Sequence, residues 1–68
     1  MNYSDKILRT AFLVSWKIKT HYTEERSRIF EFQEAYTGKM PAFLAELGTR
    51  KGLERIEVKR IEIEVSGP

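Results

Sequence analysis

Few side chains in this sequence are of the types that perform catalysis, and their spacing does not assemble a catalytic arrangement. His21 is the single histidine and there is no cysteine, so a histidine-rich metal site and a thiolate nucleophile are excluded. Glu24 and Glu25 are adjacent in a polar segment, whereas paired catalytic carboxylates need one that is buried. The four glycines are too scattered for a phosphate-binding loop. We therefore expect a protein that is not an enzyme and has neither cofactor nor metal.

Basic residues in the first half of the chain are a stronger candidate for a binding site. We predict that they share one solvated sheet face: Lys17, Lys19, Arg26 and Arg28. Basic residues beside exposed aromatic rings can bind single-stranded nucleic acid, and Arg50 and Lys51 would extend that surface. The strand aromatics fall in the opposite phase, however, so charge pairing across strands is the simpler explanation. The glutamates expected on the same face are Glu31, Glu62 and Glu64.

Aliphatic residues also occur in the otherwise polar phase of the predicted strands: Ile7, Leu13 and Ile29. Apolar side chains on a solvated face indicate a protein-binding surface. A chain of 68 residues with one uncovered sheet face gains stability by dimerising, and an exposed strand edge can accept a partner strand. We predict contact with another protein or with a second copy. The predicted contact residues are Leu13, Lys17, Lys19, Arg26, Arg28 and Ile29.

These side chains must be positioned by residues 10–19, TAFLVSWKIK, around which the chain is organised. Apolar side chains occupy every second position there: Phe12, Val14, Trp16 and Ile18. Such alternation is typical of a strand with one buried and one solvated face, and aromatic and β-branched residues favour it. The phase extends back to Leu8, which predicts a strand from about Lys6. A short helical turn capped by Ser4 is the alternative, and Met1 to Asp5 is expected to be an irregular lead-in.

A second alternating run follows a polar connection. In residues 28–33, RIFEFQ, two phenylalanines alternate with polar side chains, and residues 20–27 are polar apart from one tyrosine. Two such runs with a short link predict a β-hairpin. A turn centred near Glu24 would set Ile18 beside Phe30 and Trp16 beside Phe32.

A helix is predicted after Thr37 and Gly38. Pro41 suits a first helical turn, where its missing N–H is not needed. Four apolar residues then follow helical spacing on one stripe: Met40, Phe43, Leu44 and Leu47. Gly48 and Gly52 are candidate ends. We predict a helix from about Met40 to Leu47, or as far as Lys51, packed on one face of the sheet.

The last run, residues 53–65, contains two apolar sets in opposite phase: Ile56 and Val58, then Ile61, Ile63 and Val65. A flat strand would place these sets on opposite faces. A β-bulge at Lys59 and Arg60 would bring both to one face. Alternatively, the strand is covered on both sides or bends past the end of the sheet. Ser66 to Pro68 are expected to fray.

In chain order, these elements predict an α+β fold of type β-β-α-β in one domain of residues 1–68. A right-handed crossover through the helix would lay the last strand parallel to the second and beside the first. The predicted sheet has three strands, antiparallel or mixed, in the order 2-1-3, with one helix on one face. This element order resembles that of some small phage-encoded proteins that bind and inhibit host enzymes. The resemblance implies a regulatory role.

Charge and hydropathy narrow the functional classes further. Twelve basic and ten acidic residues give a net charge of +2, a small excess for a dedicated nucleic-acid-binding protein. The chain has neither an apolar run that could span a membrane nor a signal-peptide pattern, which predicts a cytoplasmic protein without a membrane partner. We expect a small binding module that acts through protein–protein contact, as a monomer or a homodimer. Nucleic-acid binding through a basic sheet face is the alternative.

Overall fold

The computed structural model describes residues 6–66, and within them the side chains of residues 7–64. The predicted lead-in at Met1 to Asp5 and the predicted fraying at Gly67 and Pro68 lie outside the described residues, whereas Ser66 belongs to a strand. In chain order, the elements are β1 (Lys6–Lys19), β2 (Thr23–Glu31), α1 (Phe32–Tyr36), α2 (Lys39–Leu47) and β3 (Leu53–Ser66).

β1 is the central strand of a three-stranded sheet. In the described part of the chain the order is β2-β1-β3, and β1 pairs antiparallel with both neighbours. This confirms the predicted order 2-1-3 and the predicted direction of the last strand, because β3 consequently runs parallel to β2. The start of β1 at Lys6 also agrees with the apolar alternation in the sequence.

Residue number decides the side of the sheet on which a side chain lies. Phe12 of β1 lies opposite Phe30 of β2, and Val14 lies opposite Val58 of β3. Side chains directly opposite each other share a face, and successive residues of a strand alternate between faces. Even-numbered residues therefore form one face, the even face, and odd-numbered residues form the odd face. In β3 this holds from Arg55 onward.

The hairpin register differs by six residues from the prediction. Trp16 lies opposite Arg26 and Ile18 lies opposite Glu24, so the predicted pairs of Ile18 with Phe30 and Trp16 with Phe32 are wrong. The polar residues 23–27 continue β2, and the turn lies at residues 20–22. Because six is an even number, the shift leaves Phe30 on the face that we predicted.

Phe32 begins helix α1, which the sequence analysis missed. The Glu31 N–H donates a hydrogen bond to Glu34 Oε2 at 3.0 Å, a contact that caps the first turn of the helix. Phe32 and Tyr36 are one turn apart, and their rings meet edge to face with centroids 4.5 Å apart. Both rings are exposed, whereas the predicted pairing with Trp16 would have placed Phe32 on the buried face of the sheet.

Helix α2 packs on the even face and confirms the predicted helix to within one residue. Phe43 of α2 meets Trp16 of β1 and Phe30 of β2, with ring centroids 5.2 Å apart in both pairs. This aromatic cluster joins α2 to the sheet, and Phe30 is its buried member. The buried apolar residues of the described chain are Ala11, Val14, Ile18, Phe30 and Leu47, and among the strand residues only Ala11 belongs to the odd face.

β3 keeps one register from Arg55 to Ser66, so the predicted bulge at Lys59 and Arg60 is wrong. The register shifts instead at the start of β3, where Ile18 lies opposite Leu53 and Lys17 lies opposite Arg55. The two apolar sets of β3 consequently lie on opposite faces. Ile56 and Val58 are on the even face, and Ile61 and Ile63 are on the odd face.

β1 and β3 extend beyond β2 as a two-stranded arm. β2 ends opposite Ala11, whereas the pairing of β1 with β3 continues to Lys6 and Ser66. The molecule measures 54 × 25 × 17 Å and has a radius of gyration of 15.3 Å, compared with about 11 Å expected for a compact chain of this length. The arm exposes Ile7 and Leu8 on its two faces.

A substitution of Gly52, which lies in the turn into β3, tests how closely this turn approaches β1. Its φ is +86°, and a Cβ atom at this position would lie 2.5 Å from the carbonyl oxygen of Lys19. We expect Gly52→Ala to lower the free energy of unfolding by about 2–5 kcal/mol, because the left-handed backbone and the clash act together. Urea denaturation followed by Trp16 fluorescence measures this loss.

Gly38→Ala is the matched control. The φ of Gly38 is +89°, but no described atom lies within 4 Å of an added Cβ. The variant should lose only the backbone contribution, about 1–2 kcal/mol. Equal losses in the two variants would contradict the close approach of Gly52 to β1.

Candidate protein-binding surface

The register divides the predicted contact residues between the two faces of the sheet. Leu13, Lys17, Lys19 and Ile29 lie on the odd face, and Arg26 and Arg28 lie on the even face. The prediction of one basic face that carries all four cations is therefore wrong. Of the glutamates expected beside them, Glu31 is on the odd face, but Glu62 and Glu64 lie opposite even-numbered residues of β1.

Arg28 takes part in the packing of α2. Its guanidinium carbon lies 4.4 Å from the centroid of the Phe30 ring and 5.2 Å from that of Phe43. The π electrons of an aromatic ring attract a cation at this distance. Arg28 thus packs against the edge of the aromatic cluster. This structural role cannot be recognised from the positions of charged residues in the sequence.

Two other cations of the predicted nucleic-acid surface are paired with one carboxylate. Arg26 Nε lies 2.6 Å from Glu24 Oε2, and Arg50 Nη2 lies 4.0 Å from Glu24 Oε1. Glu24 therefore links β2 to the loop that follows α2. This pairing reduces the positive charge that these arginines could offer to a phosphate.

Lys17 on the odd face is also surrounded by charges of both signs. Its Nζ lies 3.8 Å from Glu54 Oε1. In the sheet register, Lys17 lies opposite Glu25 on one side and Arg55 on the other. The odd face is consequently of mixed charge at this end.

The hairpin end of the sheet has an open cleft of about 580 Å³. The residues that line it are Lys19, Thr20, His21, Lys51 and Gly52. Lys19 and Lys51, two of the cations in the predicted nucleic-acid-binding surface, both line this cleft. Arg26, Arg28 and Arg50 make their contacts elsewhere, so the six predicted cations do not form one surface.

A strip of aliphatic side chains crosses the odd face. We call it the odd-face strip, and its residues are Ile7, Ala11, Leu13, Ile29, Ile61 and Ile63. Leu13 lies opposite Ile29, and Ala11 lies opposite Ile61, so the strip passes over all three strands. Ile7 is 50% exposed and Ile29 is 48% exposed, while Leu13, Ile61 and Ile63 are partly exposed and Ala11 is buried. A contiguous group of exposed aliphatic side chains is typical of a contact site, which makes the strip the candidate binding surface.

The sequence analysis identified half of this strip. Ile7, Leu13 and Ile29 were recognised from their phase. Ile61 and Ile63 were missed as members because the predicted bulge would have turned them to the core. Without the bulge, their odd numbers place them beside Ala11 and Arg9 of β1.

Residues 6–66 contain neither a candidate metal site nor a helix that could span a membrane. No three side chains of His, Asp or Glu in this range come together in a way that could hold a metal ion. Neither α1 nor α2 has the length and apolar character needed to cross a bilayer. Comparisons of the whole chain with models of protein families, with curated proteins and with solved structures found no match.

The contact of Arg28 with the two rings can be tested by truncation. Arg28→Ala should lower the free energy of unfolding by about 0.5–1.5 kcal/mol, because it removes both the cation–ring attraction and the packing of the side-chain stem. Lys19→Ala is the matched control, since Lys19 is an exposed cation of the same sheet and should change stability by less than about 0.5 kcal/mol. Urea midpoints that are the same for both variants would contradict the structural role of Arg28.

Proposed function

We propose that this protein is a small non-enzymatic binding module that acts by contact of its odd face with a protein surface. The observation that carries the proposal is the odd-face strip, which lies on the side of the sheet opposite to the packing of Phe43. Such a module would regulate a larger protein, or a second copy, by covering part of its surface.

The size of the strip sets a limit on the strength of this contact. Moving a half-exposed isoleucine to a buried position contributes about 1 kcal/mol. Association costs roughly 4–15 kcal/mol in lost translational and rotational freedom. This cost offsets most of the binding free energy that burial of a few such side chains contributes. The charged residues around the strip must contribute to affinity, and their arrangement must favour one orientation of the partner.

Both signs of charge surround the strip on the odd face. Arg9 and Lys17 belong to β1, Glu31 belongs to β2, and Lys59 belongs to β3. A uniformly basic rim would favour the nucleic-acid alternative, because phosphates need unpaired cations. A mixed rim supports a protein partner that carries complementary charges of both signs.

A pair of matched variants tests the surface. Ile29→Lys places a charge on the odd-face strip, and Val58→Lys places the same charge on the even face of the opposite edge strand. The two native side chains are similarly exposed, Ile29 by 48% and Val58 by 45%. We expect the native chain and Val58→Lys to capture a protein from source-cell extract, and Ile29→Lys to lose at least about tenfold of that capture.

The same capture is repeated after nuclease treatment, and circular dichroism verifies that each variant is folded. Capture that survives nuclease and depends on Ile29 supports the proposal. Equal capture by both variants contradicts it. Loss of capture on nuclease treatment would instead favour the nucleic-acid alternative, with affinity that falls steeply with salt.

A further inference from the structure

We propose that the outer edge of β3 pairs with the same edge of a second copy of this chain. The two β3 strands run antiparallel about a two-fold axis that passes beside Ile61, normal to the sheet, and the two sheets join into one. This contact lies at a sheet edge rather than on the odd face. It therefore goes beyond the proposed function and leaves the odd face of both copies open to another protein.

The outer edge of β3 carries backbone hydrogen-bonding groups that point away from the sheet. The N–H of Lys19 donates to the carbonyl of Gly52, the residue before β3. Because the residues of an antiparallel strand bond alternately to its two sides, odd-numbered residues of β1 turn their N–H and C=O groups toward β3. Their partners in β3 are odd-numbered from Arg55 onward, so the even-numbered residues from Ile56 onward face outward. An edge strand with outward peptide groups can accept a further strand.

Helix α2 does not obstruct this edge. The Phe43 ring of α2 packs against Trp16 of β1 and Phe30 of β2. Val58 lies on the same face of β3 and is 45% exposed. A strand added beside β3 would therefore extend the sheet without displacing the helix.

The two-stranded arm defines where the second copy has most to contribute. β2 ends at Glu31, opposite Ala11, and Ile61 lies opposite Ala11 on the other side. Beyond this level the described sheet consists of β1 and β3 alone, and a two-stranded ribbon is only marginally stable. An axis beside Ile61 lays residues 56–60 of each copy next to residues 62–66 of the other. Each arm thereby gains a third strand.

The charges of β3 favour the same axis. The two-fold axis passes beside one residue of β3, the centre, and sets residues at equal distances before and after the centre opposite each other. Several centres would set a charge against a like charge: Glu57, Lys59, Arg60, Glu62, Ile63 and Glu64. A centre at Val58 or earlier would run into the register shift at the start of β3 and leave most of the arm with two strands. The centre at Ile61 pairs residues 56–66, and none of these pairs joins like charges.

Centred on Ile61, the register sets Arg60 of each copy opposite Glu62 of the other, on the even face. In its own sheet, Arg60 lies opposite Phe12, and Glu62 lies opposite Thr10, so β1 offers neither of them a charge there. The two arginines and two glutamates alternate around the axis, and opposite charges that face each other across strands are stabilising. On the odd face, Ile61 lies against its own copy, and the odd-face strips of the two copies join.

β2, the other edge strand, is less suited to a second copy. It has nine residues, whereas β3 has fourteen, and α1 follows it directly. Every centre from Glu25 to Arg28 sets like charges opposite each other, because either Glu25 faces itself or Arg26 or Arg28 faces an arginine. Pairing of the two β3 edges uses the same surface of both copies and therefore closes as a dimer.

Charge reversal tests the partner and the register. In an Arg60→Glu homodimer both contacts would join two glutamates, and in a Glu62→Arg homodimer both would join two arginines. We expect each variant to dissociate at least about tenfold more readily than the native chain. The double variant, which exchanges the two charges, should recover the native affinity because every contact again joins opposite charges.

Sedimentation velocity of the full chain measures association, and circular dichroism verifies folding. Lys59→Glu is the matched control, since it changes the net charge equally but lies on the odd face, where the register sets it opposite Ile63. We expect a dimer for the native chain and for Lys59→Glu at about 100 µM. A monomeric native chain overturns the inference. So does a dimer that both single reversals leave intact, or a double variant that stays monomeric.

Amide hydrogen exchange distinguishes pairing of the edges from contact of the odd faces. The Arg60 N–H points away from β1 and would donate to the Glu62 carbonyl of the second copy. We expect it to exchange at least about tenfold more slowly in the native dimer than in Glu62→Arg. A native dimer in which this amide exchanges as fast as in Glu62→Arg overturns the inference.

The failure of this inference can be distinguished from the failure of the proposed function. Ile29 belongs to β2, at the other edge of the sheet, so Ile29→Lys should lose the capture of a protein and still form the dimer. A dimer that dissociates in Ile29→Lys overturns pairing at the β3 edge. Capture that does not depend on Ile29 contradicts the proposed function alone.

Discussion

The antiparallel pairing of β1 with both of its neighbours is the constraint on which the rest of this structure depends. Both registers pair residues of equal parity, so one property of the chain, odd or even position, assigns almost every strand side chain to a face. The even face collects Val14, Trp16 and Phe30, and the rings of the latter two hold α2 through Phe43. Whatever the sequence places at odd positions is thereby turned away from that helix.

The exposure of aliphatic side chains on the odd face is related to the small size and the position of α2. α2 is nine residues long, whereas β1 and β3 are each fourteen, so the helix covers only part of one side of the sheet. Because α2 packs on the even face, an apolar residue at an odd position, such as Leu13 or Ile61, lies on the side of the sheet away from it. A protein of this size has a small core, and the odd-face strip is the surface that the proposed partner would cover.

The sequence predicted the parts of this fold that depend on strong local patterns. The alternation in β1, the stripe in α2 and the strand order all agree with the structure. The hairpin register was missed because residues 23–27 are polar and resemble a loop, although an edge strand tolerates such side chains well. The bulge was predicted because it would have placed Ile61 and Ile63 on the same face as Ile56 and Val58, and the alternative that the two sets lie on opposite faces is the one that the structure shows. Arg26 and Arg28 were assigned by charge rather than by parity, which is what decides their face.

The β1–β3 ladder also determines how the cost of folding is distributed. β3 pairs with β1 across the whole of the hairpin and both helices, so the first contact of Leu53 with Ile18 closes a long loop. Each later pair, outward to Lys6 and Ser66, enlarges that loop only slightly, and the entropy of loop closure grows slowly with length. Most of the entropic cost of loop closure is therefore incurred when the Gly52 turn docks against Lys19. In the folded protein, the Lys19 N–H donates a hydrogen bond to the Gly52 carbonyl at 2.9 Å. The arm is the part of the ladder that can open and close without undoing that step, and its amide hydrogens should exchange with solvent ahead of those beneath α2.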